Sequence, residues 1–154
     1  MLGVDARHRR AALVHYAVLL QLGKAQALFA LAHAAVDAAP KDALSWYAVG
    51  CYYLAAHKPV QAVKHFTRAT QFDPAFAPAW GGLGQAFAVQ DEPEPALAAY
   101  RAAMKLWPAS HLPPLAMASL CVRTGQLVLA QQHASLAQVR ALQPAPLRGG
   151  CCAA

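Results

Sequence analysis

The chain has 154 residues, enough for one domain with a buried core, and 58% of them are hydrophobic. Alanine, roughly a quarter of the sequence, accounts for that balance, and no apolar run reaches the ~18 residues a membrane span requires. The net charge of +6 is scattered except at Arg7, Arg9 and Arg10, which argues against the gathered basic face of a nucleic-acid binder.

Hydrophobic periodicity and breakers predict eight helices, at about 9–22, 25–39, 43–56, 60–73, 77–90, 94–107, 111–124 and 127–141. Residues 1–8 read as an N-terminal extension. The basic cluster, the apolar stretch Ala11 to Leu22 and Ala25-Gln26-Ala27 have the outline of a signal peptide. His15 and Gln21 interrupt that stretch and Lys24 flanks the supposed cut, so a helical hairpin turning at Gly23 is the better reading. Pro40, Pro74 and Pro108 end the second, fourth and sixth helices, because proline lacks the N–H that would continue them. Asp91 is the N-cap candidate for the sixth helix, with Glu92 and Glu94 suited to its positive N-terminal dipole. Pro93 and Pro95 are tolerated only near that start. Gly125 turns between the last two helices. Residues 143–154 turn to Pro, Gly, Ala and Cys without periodicity and read as a disordered tail.

One repeat organises these elements. Trp46, Gly50, Tyr53, Ala62, Phe66, Ala69 and Pro74 recur as Trp80, Gly84, Phe87, Ala96, Tyr100, Ala103 and Pro108, each pair 34 positions apart. The period and the pattern W-x2-L-G-x2-Y, A-x3-F, P match the tetratricopeptide repeat, in which helix pairs stack as a solenoid. The glycines and alanines admit the opposing helix, and the aromatics fill the gaps they leave. Degenerate copies extend the phase upstream through Ala35 and Pro40 and downstream through Ala130 and Ala137. In the last copy Pro114 stands where tryptophan is expected, and Leu142 stands where proline belongs. The expected fold is therefore an all-α tetratricopeptide-repeat solenoid of four helix pairs over 9–142, with repeats at about 9–42, 43–76, 77–110 and 111–142.

Residue types suited to chemistry are present but not assembled. The seven histidines include no HxxxH or HExxH spacing, so no metal is expected. The only carboxylate cluster, Asp91, Glu92 and Glu94, is explained by helix capping. Gly81-Gly82-Leu83-Gly84 lies inside a predicted helix rather than after a strand, so it is no phosphate loop. Cys51 and Cys121 stand singly in helical patterns and read as small hydrophobes. The terminal Cys151-Cys152-Ala153-Ala154 has the form of a prenylation signal without a visible second anchor. No enzyme, no cofactor, no membrane and no nucleic-acid partner is expected, and reduced thiols suit the cytosol or nucleus.

Resemblance to tetratricopeptide proteins implies a concave groove lined by the first helices. Tyr47, Cys51 and Leu54, then Gly81, Gln85 and Ala88, then Leu115 and Ser119 are expected to face it. That lining suits an apolar or helical peptide and lacks the Lys, Asn and Arg set that clamps a C-terminal carboxylate.

Several runs go beyond the general pattern. SWYAVGCYYL from Ser45 to Leu54, PAW from Pro78, QAFAV from Gln85, AAY from Ala98 and HLPPL from His111 resemble the sixth subunit of the anaphase-promoting complex, the cell division cycle protein 16 family. The likeness extends from about Leu13 to about Gln138, and HLPPL accounts for the proline at position 114. What it implies is a non-catalytic scaffold in a ubiquitin ligase of the cell cycle, in the nucleus and cytoplasm. It also implies other subunits of that complex as partners, including sister tetratricopeptide subunits and a small accessory subunit, and a possible homodimer. With about four repeats, the chain resembles an internal piece of that family. Two alternatives remain open on the sequence: a generic tetratricopeptide adaptor or co-chaperone, and the targeting arm of an enzyme whose catalytic domain is missing.

Overall fold

The computed structural model describes residues 2–143, and every regular element among them is an α-helix. In chain order these are α1 (Leu2–Gln21), α2 (Ala25–Ala38), α3 (Ala43–Ala55), α4 (Pro59–Phe72), α5 (Ala77–Val89), α6 (Pro93–Leu106), α7 (Leu112–Arg123) and α8 (Leu127–Leu142). Of the expected tail, Gln143 caps the end of α8, and residues 144–154 with the Cys151-Cys152-Ala153-Ala154 terminus lie outside the described residues. No helix among the described residues is long and apolar enough to cross a membrane.

The helices pack as sequential antiparallel pairs, most extensively α3 with α4, α5 with α6 and α7 with α8. Each pair leans on the next through α2 on α3, α4 on α5 and α6 on α7. One apolar core runs from Tyr16 and Leu28 through Phe66 to Leu83, and a second gathers Ala96, Tyr100, Met117 and Leu120. The first pair is the loosest, with α1 resting more on α3 than on α2.

Turns between paired helices recur in register. Gly23, His57, Asp91 and Gly125 stand 34 positions apart, and their φ angles are +65°, 57°, 58° and +75°. All four are left-handed, a conformation that glycine adopts freely and other residues adopt at a cost. Asp91 is thus a turn residue rather than an N-cap. The α6 N-cap is Glu92, and no side chain caps that end. The observed cap of this kind is Asp42, whose carboxylate accepts from the Leu44 N–H at 3.3 Å.

The prolines act as expected and also do something more. Pro40 and Pro74 lie just beyond the ends of α2 and α4, and their carbonyls accept the indole N–H of Trp46 at 2.8 Å and Trp80 at 3.0 Å. Pro114 occupies the next tryptophan position, so the fourth pair has no such indole donor. With leucine at 142, the proline comes two positions later, at Pro144, and α8 runs 16 residues against 14 for α4 and α6. At the other end, α1 begins at Leu2 rather than near residue 9. No proline precedes Pro40, and the Arg9 guanidinium forks onto the Asp42 carboxylate at 2.8 and 2.9 Å, tying α1 to the start of α3.

Candidate protein-binding surface

The closest approaches in the stack are rings laid on glycines. A methyl group at Gly50 would lie 2.5 Å from the Phe66 ring, and one at Gly82 2.6 Å from the same ring. Phe66, fully buried, therefore wedges between the first helix of its own pair and the first helix of the next. Tyr100 repeats the arrangement one unit later, with 2.6 Å between its ring and a methyl at Gly84. Such contacts leave no room for a ligand between the interior pairs.

The expected groove residues divide by their place in the stack. Tyr47, Cys51, Leu54 and Ala88 are buried, and Gly81 and Gln85 are half-buried, whereas Leu115 and Ser119 are exposed. The four buried residues therefore do not line an open groove. Tyr47 packs on Phe66 and on Phe76 at the start of α5, with ring centroids 5.7 Å apart in both cases. Positions in the first helix of one pair are thus covered by the first helix of the next, and the last pair shows the equivalent positions to solvent. The space beside Gly81 is open, with no neighbouring atom within 4 Å of where a methyl group would stand, and Gln85 lies one turn further along α5.

The buried polar chemistry is inert. Burial pushes the Cys51 thiol up to about 12, with a hydrogen bond from Tyr47 opposing that shift, so it carries no thiolate at neutral pH. Burial likewise raises the Tyr47 hydroxyl, with Cys51 adding to the effect. Burial raises the Tyr100 hydroxyl to about 12, with Arg123 opposing. Among the described residues, no group of three His, Cys, Asp or Glu is placed to hold a metal ion.

Two outward features are not evident from the sequence pattern. The first is a ladder on the α3–α4 flank: His65 stacks between Tyr53 at 4.9 Å and Trp46 at 5.8 Å, and the Arg68 guanidinium lies 3.8 Å from the Trp46 ring centre. The second is an open hollow of about 580 Å³ between α7 and α8, lined by Leu115, Ala118, Ser119, Val122 and Ala134 among others. Its cause is readable in register, because Ala134 stands where Phe66 and Tyr100 stand in the two preceding pairs. With no ring to wedge against Ala118, the last pair remains open on its far side.

Sequential helix pairs, small-against-aromatic packing and a 34-residue register define a tetratricopeptide-repeat solenoid, a class that binds other proteins along its surfaces. No protein-family model matches the chain. It is 40% identical over 144 residues to anaphase-promoting complex subunit 6 of Arabidopsis thaliana, covering 94% of this chain and 26% of that protein. It is 42% identical over 112 residues to the human cell division cycle protein 16 homolog, covering 72% of this chain and 18% of that protein. The fold superposes on the APC/C hetero-tetramer Cut9-Hcn1 with a TM-score of 0.78 at 32% identity, over 82% of this chain and 24% of the solved one. MamA, at 16% identity and a TM-score of 0.68 over 91% of this chain and 82% of its own, shows the same fold alone. The chain is a homologue of the anaphase-promoting complex subunit 6 and cell division cycle protein 16 family, and it spans about a quarter or less of the length of these relatives.

Proposed function

We propose that the chain serves as a non-catalytic scaffold segment of an anaphase-promoting complex subunit, acting in cell-cycle progression in the nucleus and cytoplasm. The observation that carries this reading is the 40% identity over 144 residues to subunit 6 of that complex, in a chain whose buried groups are assigned to packing. Its partners are other subunits of the complex, including sister tetratricopeptide subunits and a small accessory subunit. The half-buried Gly81 and Gln85 on α5 and the exposed Leu115 and Ser119 on α7 are the proposed contact residues. Supporting a protein partner rather than a small molecule, the hollow beside Leu115 is open and mostly apolar, with Ser119 and Gln131 as the polar side chains of its lining and no charged one.

Affinity purification of the tagged chain from dividing cells tests this reading. Recovery of cullin-like, RING and sister tetratricopeptide subunits is expected. Recovery of a chaperone through its C-terminal peptide, with none of those subunits, would assign the chain to the co-chaperones instead.

A further inference from the structure

Along α4, Val60, Lys64, Arg68 and Phe72 follow one another at steps of four, and all of them are exposed. Such steps keep side chains on one side of a helix. Val60 is 58% exposed and Phe72 42%, so two apolar groups flank two cations along this side. The repeat does not require the arrangement. In the same register α2 carries Gln26, Ala30, Ala34 and Ala38, and α6 carries Glu94, Ala98, Ala102 and Leu106. Because α4 packs between α3 and α5 inside the stack, its outer side is not an end face of the solenoid.

Arg68 is positioned by its neighbours but not neutralised by them. Its guanidinium carbon lies 3.8 Å from the centre of the Trp46 ring and 6.0 Å from that of Phe72. The Trp46 indole is itself anchored, its N–H donating to the Pro40 carbonyl at 2.8 Å. Stacking uses the face of a guanidinium and leaves the N–H donors at its edge free. Neither Arg68 nor Lys64 makes a hydrogen bond or ion pair among the described residues. Like charges four positions apart on a helix repel, and an anion between them relieves the repulsion. The same field reaches His65, whose imidazole is held below its ordinary range by burial and then by Arg68 and Lys64.

We propose that the outer side of α4 binds an acidic segment of a partner protein, with one carboxylate forked by Arg68, another held by Lys64, and apolar side chains resting on Val60 and Phe72. Charge complementarity selects the occupant, since a stacked guanidinium with open edges suits a planar carboxylate. The stripe from Val60 to Phe72 is about 18 Å long, the reach of about six extended residues. A nucleic acid would need the cations to continue along the stack, and α6 carries glutamate and alanines at the equivalent positions. This surface is separate from the contact residues on α5 and α7 and does not depend on the ubiquitin-ligase reading.

Fluorescence anisotropy of the purified full chain in low-salt buffer tests the proposal. The probe is a labelled synthetic peptide of about six residues with leucine at both ends and glutamates between. Binding is expected, and the same peptide with glutamine for glutamate is expected not to bind. Arg68→Gln should weaken binding roughly tenfold and Lys64→Gln roughly threefold, because the fork makes paired bonds and the ammonium a point contact. Arg101→Gln, which removes one exposed charge from α6, should leave affinity unchanged. All three positions are exposed, so wild-type helical circular dichroism is expected of each variant. In nitrogen-15 spectra the Trp46 indole resonance should move on peptide addition while that of Trp80, which has Ala102 in place of the arginine, stays. No binding at the highest soluble peptide concentration overturns the proposal, as does equal binding of the glutamine peptide. Equal weakening by Arg101→Gln would reduce the effect to net charge and overturn it too. An oligothymidylate that binds more tightly and displaces the peptide would assign the surface to nucleic acid instead.

Discussion

His57 and Asp91 hold the same left-handed turn one repeat apart, at φ 57° and 58°, in the register that glycine fills at Gly23 and Gly125. A non-glycine residue there loses roughly 1–2 kcal/mol to the clash of its Cβ with the following carbonyl. Glycine returns part of that gain through the larger freedom of the unfolded chain. His57→Gly is therefore expected to stabilise the fold by about 1 kcal/mol, read as a higher urea midpoint at unchanged slope. Asp91→Gly should gain less, because Asp91 also pairs with Arg123, which in turn donates to the Ala88 carbonyl at 3.1 Å. A lower midpoint for His57→Gly would mean the turn is not held as described.

Gly84→Leu is expected to cost about 1–3 kcal/mol by driving a side chain into the buried Tyr100 ring. The cost should shrink in a Tyr100→Ala background, where the ring is gone and the added leucine finds space. A double-mutant cycle on thermal or urea unfolding measures this coupling. Equal costs in both backgrounds would show that the ring and the glycine do not meet.

The helix pairs are legible in the sequence because their cause is periodic. Every interior pair needs small residues against rings, so Gly50, Gly84, Phe66 and Tyr100 announce it at a fixed interval. The groove is less legible because burial depends on a neighbour. Tyr47 and Leu115 share one register, and only the presence of a following pair separates a buried ring from an exposed leucine. The left-handed turns are hidden where histidine and aspartate replace glycine, although their spacing from Gly23 and Gly125 is a usable signal. Likewise, the ion pair that ties α1 to the start of α3 joins Arg9 and Asp42 across 33 positions, which helix propensity cannot foresee.

His65 should make stability fall in mild acid. Burial, then the neighbouring Arg68 and Lys64, hold its imidazole below the ordinary range. Between that lowered folded value and the unfolded value of about 6.5, the unfolded chain binds more protons, so stability decreases as pH falls through this window. In His65→Gln this component of the decrease should be absent, at the cost of part of the stack with Trp46 and Tyr53. Urea unfolding of both proteins between neutral and mildly acidic pH makes the comparison. An identical pH slope in the two would remove His65 from the account.

Cys51 is expected to resist alkylation in the folded protein. It is fully buried and its thiol is pushed up to about 12, so neither access nor thiolate is available. Peptide mapping after iodoacetamide treatment should find it unmodified in buffer and modified in denaturant. Rapid native labelling at Cys51 would show that the α3 surface opens.

The scaffold reading is tested most directly by the size of the particle that carries the chain. When a lysate of dividing cells expressing the tagged chain is resolved on a density gradient, the chain should migrate in the large fractions that contain the cullin-like and RING subunits. It should also leave those fractions when the complex is immunodepleted. A chain found only in light fractions, with its distribution unchanged by depletion, would contradict its role in that assembly.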